Sequence, residues 1–300
     1  MKRLLILIFF MVNINIILSA YEFGLIGGLD FMSFHPDRVR AQNNAANPAH
    51  KVFDNYPFGY GDLFFKNDFS DNFGYNIVIS RDKILWNNLY AKLTYNTDLI
   101  YAEFGPFTGI SDDFNNPTIG FVGFFQISFP RIAFFSVNGS ATMNSFIGFM
   151  GNDTGYSGNF TAGFWLGKMI PSFSVEIKSF SRNTSNEAGQ PAENDDLFIR
   201  YQASLEFFRK ASPVVFRMDA AYQTLSRTYS LSEKPDEISA LLAGIDITWQ
   251  LSKPIKFFTG FEMPVHSTAK NGLEIPDGYF NMFKITSGFT YRIFPRTSGL

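Results

Sequence analysis

Histidine and serine side chains come closest in this chain to the parts of a hydrolytic site. His266 is followed directly by Ser267, and the other histidines are His35 and His50. A hydroxyl nucleophile needs a base within hydrogen-bond reach, but adjacent residues of a strand point to opposite faces. The chain also lacks a Gly-x-Ser-x-Gly turn that would orient a serine. We therefore predict no catalytic residues and no enzyme activity, and keep a membrane-embedded hydrolase using His266 as an alternative.

Metal, phosphate and nucleic-acid sites are not predicted either. The pairs Asp112-Asp113 and Asp195-Asp196 lack the spaced oxygen ligands of a calcium loop. The glycine run ending at Gly28 lies in a strand-like pattern, without the helix that a phosphate cradle requires. The formal charge is -2 and no dense Lys/Arg cluster occurs, which argues against a nucleic-acid partner. We expect no metal and no cofactor.

The elements that must position any functional side chain are strands. Residues 241–251, 255–265 and 283–294 alternate apolar and polar side chains over their whole lengths. This two-residue period places one set of side chains on each face of a strand. The chain also contains 37 Phe, 24 Gly and only 17% charged residues. Aromatic residues favour strands and membrane interfaces, so we expect one face to meet lipid and the other water.

An export signal precedes these strands. Lys2 and Arg3 are followed by a mostly apolar run and then by Leu18-Ser19-Ala20, which is typical of a secretory signal peptide. We predict a signal peptide over residues 1–20 with cleavage near Ala20, a barrel domain over 21–294 and a tail over 295–300. The chain has no cysteine, so a lipidated cysteine cannot anchor it. The predicted location is the outer membrane of a diderm bacterium.

The segment 119–137 is nearly continuous in apolar residues and is long enough to cross a bilayer as a helix. Pro130 and Arg131 lie in its middle. Both residues would be costly at the centre of a spanning helix, whereas both are natural in a turn between two strands. The segment is therefore predicted to form a hairpin.

Turn-like breaks along the chain alternate between short and long. The short breaks are residues 70–72, 97–98, 130–132, 169–172, 210–213 and 252–254, and the long ones are 35–55, 82–88, 110–118, 151–159, 183–196, 230–237 and 267–279. Seven long and six short connections imply fourteen strands. Outer-membrane barrels have an even strand number, short periplasmic turns and long external loops. The predicted fold is an all-β, transmembrane, antiparallel up-and-down barrel of about 14 strands, within a range of 12–16.

The alternation assigns side chains to the two faces of this barrel. An aromatic girdle is predicted beside the short turns, formed by Phe69, Phe73, Phe129, Phe173, Phe207 and Phe257. The predicted lumen-lining residues carry charges of both signs: Lys92, Glu103, Glu176, Lys178, Arg200, Glu206, Arg217, Asp219, Asp246, Lys256, Glu262, Lys284 and Arg292. Opposite charges can pair across a wet lumen. A soluble sandwich with solvated charged faces is the alternative.

In pattern, the whole predicted barrel domain resembles a bacterial outer-membrane β-barrel protein of the porin-like kind. The segment from Gly288 to Phe294 is similar to the C-terminal strand that such proteins present to the barrel-assembly machinery. The resemblance implies outer-membrane lipid, that machinery and small solutes as partners. Asn47-Pro48-Ala49 is similar to an element of the fatty-acid-transport barrels, a resemblance that implies fourteen strands and hydrophobic substrates.

Three functions are compatible with these features. The first is an outer-membrane pore or channel for passive diffusion of small solutes, since a barrel of this strand number leaves a lumen. The second is a non-conducting surface adhesin or structural barrel, which would follow if the loop at 35–55 filled the lumen. The third is a transporter of hydrophobic substrates, which depends on whether inward phenylalanines such as Phe124, Phe134, Phe180, Phe198 and Phe258 form one patch.

Overall fold

The computed structural model describes residues 22–31, 58–110, 117–143, 153–185, 191–207, 213–229, 235–270 and 283–292. Fourteen strands occur in this part of the chain. They are β1 Glu22–Asp30, β2 Phe58–Asp68, β3 Phe73–Asp82, β4 Trp86–Asn96, β5 Ile100–Ile110, β6 Pro117–Phe129, β7 Ala133–Thr142, β8 Thr154–Phe164, β9 Met169–Ser185, β10 Pro191–Phe207, β11 Val214–Tyr229, β12 Asp236–Gln250, β13 Ile255–Lys270 and β14 Lys284–Arg292. Among the residues described, no helix is long and apolar enough to cross a membrane.

The strands form one closed antiparallel barrel in which each strand pairs with its neighbours in the chain. β1 closes the sheet by pairing with β14, from Glu22 opposite Arg292 to Asp30 opposite Lys284. Closure removes the free sheet edges whose backbone groups could not be satisfied in hydrocarbon. The predicted up-and-down barrel of fourteen strands is confirmed. The predicted signal peptide, tail and first long loop lie outside the described residues.

The apolar segment 119–137 is a hairpin, as predicted. β6 ends at Phe129 and β7 begins at Ala133, and the backbone N–H of Ile132 donates to the carbonyl oxygen of Phe129 at 3.0 Å. Pro130 takes the first central position of the turn, where its fixed φ is suited. Arg131 takes the second with a φ of 65°, in the left-handed region that favours glycine.

Replacing Arg131 with glycine is expected to stabilise the barrel by about 1 kcal/mol, because glycine adopts this backbone conformation without steric cost. Gly167→Ala should have the opposite sign, since Gly167 has a φ of 63° in another tight turn. Unfolding midpoints in detergent with guanidinium would measure both changes. A destabilised Arg131→Gly variant would contradict this account of the turn.

The short connection after β8 differs from the prediction. The break was expected at residues 169–172, which contain Pro171, but β9 already begins at Met169. The chain instead reverses between Leu166 and Met169, which exchange two backbone hydrogen bonds of 2.8 and 3.0 Å. The turn forms here because Gly167 supplies the positive φ that a two-residue hairpin loop requires. Pro171 therefore does not mark the turn, whereas Gly167 does.

Several predicted long loops are partly strand. β9 to β13 contain 15 to 17 residues each, whereas about 9–11 suffice to span a bilayer. The predicted loops at 183–196, 230–237 and 267–279 are therefore too long. Strands also begin inside three other predicted loops, β4 at Trp86 in 82–88, β6 at Pro117 in 110–118 and β8 at Thr154 in 151–159. A strand that continues beyond lipid needs no apolar face, so a polar sequence there does not indicate a loop.

The two faces of the barrel differ as an outer-membrane fold requires. Large apolar side chains are exposed on the outer face, for example Leu241, Ile245 and Trp249 of β12. The predicted girdle residues also point outward: Phe69, Phe73, Phe129, Phe173 and Phe257 are exposed. Phe207 is only partly exposed, and its ring lies 6.4 Å from that of Phe216. Phe173 lies well inside β9 rather than beside a turn.

Candidate functional site: the barrel lumen

Two cavities inside the barrel are lined by all the predicted lumen residues except Lys256 and Arg292. The larger cavity, of about 500 Å³, is lined among others by Glu176, Lys178, Arg200, Glu206, Arg217, Asp219, Asp246, Glu262 and Lys284. The smaller, of about 310 Å³, is lined by Lys92, Glu103, Glu176 and Lys178. Lys256 lies on the same face of β13 as Glu262. Arg292 contacts Glu22 across the β1–β14 seam at 2.6 Å.

Charges in the larger cavity compensate each other. Arg200 of β10 reaches past two strands to Glu262 of β13 with both terminal nitrogens, one of them at 3.0 Å. Arg217 contacts Asp219 at 3.2 Å and also pairs with Asp246 of the neighbouring strand. A forked guanidinium suits such multiple contacts with carboxylates. The wall is therefore strongly polar without carrying a large excess of either charge.

The smaller cavity has a comparable charge pair. Lys92 of β4 pairs with Glu103 of β5, and Glu103 also accepts hydrogen bonds from the Tyr101 hydroxyl and, at 3.1 Å, from the Asn76 amide. Glu103 is buried and satisfied by three side chains. This arrangement fixes its carboxylate against the wall and leaves the middle of the cavity open.

An ion pair crosses the lumen between the two cavities. Lys178 of β9 contacts Asp82 at the end of β3 at 2.6 Å, although five strands lie between β3 and β9 around the barrel. Lys178 also contacts Glu176 at 2.9 Å. Tyr60, Asp82, Glu176 and Lys178 line both cavities. The ion-paired side chains of Asp82, Glu176 and Lys178 form a bar, named here the cross-bar, that divides the lumen.

The cross-bar is continued by the turn at residues 83–85, which joins β3 to β4 and folds into the barrel. Ile84 is only 2% exposed although it lies in a turn. One carboxylate oxygen of Asp82 accepts the backbone N–H groups of Ile84 and Leu85 at 2.8 and 3.0 Å. The carbonyl of Leu85 accepts the Asn88 side-chain amide at 2.8 Å. The turn is therefore locally rigid.

An apolar cluster receives this turn at the barrel end where the longer connections lie. Ile84 belongs to it, and the other buried members are Phe58, Phe180, Phe198, Ala221, Leu225, Ile238, Ala240 and Leu242. The remaining inward phenylalanines lie elsewhere: Phe124 packs on Tyr101, Phe134 packs on Trp165, and Phe258 lies against Gly288. The described inward phenylalanines therefore do not form one continuous patch.

Comparisons with known proteins are informative for structure alone. Neither a protein-family model nor a curated protein matches the sequence. An outer-membrane channel from Pseudomonas putida F1 has a TM-score of 0.50 at 7% identity, covering 92% of this chain and 96% of that one. The chain has the fold of an outer-membrane β-barrel. A loop-deletion mutant of OmpT, an outer membrane protein of Vibrio cholerae, has a TM-score of 0.42 at 8% identity, covering 91% and 98%.

The barrel does not bring the side chains of His266 and Ser267 together. A register shift between β12 and β13 at Leu241/Leu242 leaves His266 opposite Leu241 and Pro264 opposite Leu242. His266 is exposed and Ser267 is 8% exposed, so their side chains are on opposite faces. His35 and His50 lie outside the described residues. No group of three or more His, Cys, Asp or Glu that could hold a metal occurs in the described ranges.

The cross-bar and its turn are the features of this barrel that sequence reasoning missed. The sequence pattern predicts residues 82–88 as an external loop. One signal was present: Ile84 and Leu85 are adjacent apolar residues within a polar connection. Such a pair is stabilised by burial, and the apolar cluster that contains Phe58, Phe180 and Phe198 provides it here.

Proposed function

We propose that this protein is an outer-membrane channel for passive diffusion of small solutes. The observation that carries the proposal is the pair of polar cavities, about 500 and 310 Å³, that the barrel wall leaves unfilled around its mid-lumen charges. Small barrels have interiors filled by side chains, whereas larger ones leave an aqueous path. The outer face supports a lipid environment, since exposed apolar residues encircle the barrel.

Polar solutes are favoured over hydrophobic ones. A path for apolar substrates requires apolar side chains along its length, but Arg200, Arg217 and Lys178 with their carboxylate partners line the larger cavity. An apolar solute would have to displace water from these charges without replacing their hydration. Water-soluble molecules that fit the cavities meet no such cost.

The remaining partners belong to the proposal as well. Outer-membrane lipid would contact the exposed aromatic and aliphatic side chains of the outer face. The barrel-assembly machinery would recognise the segment from Gly288 to Phe294. The residues of this segment up to Arg292 belong to β14 and pair with β1. Mutating the outward Phe289 would slow assembly if this segment is the signal.

Purified protein in planar bilayers is expected to produce discrete conductance steps with a cation-to-anion permeability ratio close to one, because lumen charges of both signs are paired. Replacing Arg217 with alanine should shift the ratio toward cations, since Asp219 and Asp246 lose their shared counter-charge. Arg217→Lys retains the charge and is the matched control. The channel function is overturned if the folded wild type shows no conductance and folded variants without the Asp82–Lys178 contact show none either.

A further inference from the structure

We propose that the turn at residues 83–85 is a latch that narrows the lumen, and that it leaves the lumen as a unit when larger solutes pass. This inference rests on the proposed channel function, because it describes how that channel is regulated. The latch has two attachments to strands other than β3 and β4, one ionic and one apolar. Each is made by side chains.

The ionic attachment spans the barrel. Asp82 contacts Lys178 at 2.6 Å across the lumen, and Lys83 contacts Asp30 of β1 at 2.7 Å. The ammonium group of Lys83 also lies 5.0 Å from the ring centroid of Phe198 on β10. These contacts hold the turn against β1, β9 and β10 at once. A turn that lay along its own part of the barrel wall would contact only the neighbouring strands β2 and β5.

The apolar attachment is the buried pocket that holds the side chain of Ile84, named here the apolar socket. Its side chain is 2% exposed and packs in the cluster that contains Phe58, Phe180 and Phe198. Leu85 packs against the same cluster. These side chains come from β2, β9 and β10, so the turn fills space that the barrel wall alone would leave open. Withdrawal of Ile84 would open that space to the lumen.

The latch can release without breaking the sheet. β3 and β4 remain paired up to Asp82 opposite Trp86. In the described part of the chain, no backbone–backbone hydrogen bond joins residues 83–85 to the opposite wall. The Asp82 oxygen that caps Ile84 and Leu85 travels with the turn. When the latch opens, its side-chain contacts are therefore replaced by contacts with water, and the β3–β4 hairpin remains paired.

Two variants separate the attachments. Asp82→Asn removes the charge that faces Lys178 but keeps an amide oxygen able to cap Ile84 and Leu85, and Lys178 retains Glu176 as a partner. Ile84→Asp disrupts the apolar socket and leaves the ion pairs in place. Both should increase the single-channel conductance and the uptake of larger neutral sugars. Heat-dependent gel mobility would show that each variant is folded.

A second measurement does not depend on conductance. The chain has no cysteine, so Ile84→Cys introduces a single thiol whose reaction with a polar maleimide reports exposure of the turn. Leu99→Cys is the matched control, because Leu99 is an apolar turn residue that is already 49% exposed. Adding Asp82→Asn should accelerate labelling at position 84 by about tenfold if it raises the population of the open state about tenfold. Labelling at position 99 should not change.

The outcomes distinguish the latch from the channel. Faster labelling together with larger conductance supports both. If the wild type conducts but Asp82→Asn and Ile84→Asp change neither labelling nor conductance, the latch is overturned and the channel function stands. If labelling accelerates but no folded variant conducts, the turn moves as described and the channel function is overturned.

Discussion

Replacing Gly28 with valine is expected to prevent formation of the closed barrel. Gly28 lies in β1 at the seam, opposite Tyr60 of β2 and Thr286 of β14. A Cβ atom added there would lie 1.7 Å from the backbone carbonyl oxygen of Ile285. Backbone cannot move aside as a flexible side chain does, so β1 and β14 would have to separate. We expect a loss of more than about 4 kcal/mol, which few single substitutions reach.

Gly59→Val is the control for this variant. Gly59 lies on the adjacent strand, opposite Leu29, and a Cβ atom added to it would meet nothing within 4 Å. Refolding yield, measured as the fraction with barrel-type mobility on an unheated gel, should fall to background for Gly28→Val and remain near wild type for Gly59→Val. Equal yields would show that the seam tolerates a side chain at position 28.

Removing the guanidinium of Arg227 is expected to cost about 3–5 kcal/mol, because it leaves a buried carboxylate without its counter-charge. Arg227 of β11 and Asp196 of β10 are opposite each other in register and are joined by two hydrogen bonds of 2.5 and 2.6 Å. Their side chains are only 5% and 2% exposed. Arg227→Met preserves length and apolar packing, so its loss of stability would report the charge pair.

Arg227→Lys tests the geometry of the same pair. Lysine keeps the positive charge but cannot make the forked contact with both carboxylate oxygens, so an intermediate loss is expected. Denaturant unfolding in detergent would rank the proteins as wild type, Arg227→Lys and Arg227→Met in decreasing order. A stability of Arg227→Met equal to that of the wild type would mean that Asp196 is hydrated despite its burial.

The alternation of side chains was sufficient to assign the barrel faces. Arg217 and Asp246 were placed on the lumen side from their positions in two separate polar–apolar patterns, and in the structure they line the same cavity and form an ion pair. The two-residue period is a local property of a strand, so no long-range information was needed. The Pro130 hairpin was predictable for the same reason, because its turn residues are adjacent.

Strand ends were predicted poorly, for a physical reason. The residues near Asp195 and Asp196 were interpreted as loop because they are polar, but they pair with β9 and β11. Lipid imposes apolar alternation only over its own thickness. Beyond that thickness a strand is held by its partners, which local sequence does not reveal.

The sequence by itself determined that the chain makes two-faced strands, since a side chain's face depends only on its place in the strand. The breaks between the strands indicated about 14 of them. The tertiary structure alone decided what fills the lumen. Asp82 and Lys178 are 96 residues apart and meet because closure of the sheet brings β3 and β9 to opposite walls. Ile84 is buried for the same reason. Contacts across a barrel depend on its circumference and stagger, which belong to the closed sheet rather than to any one strand.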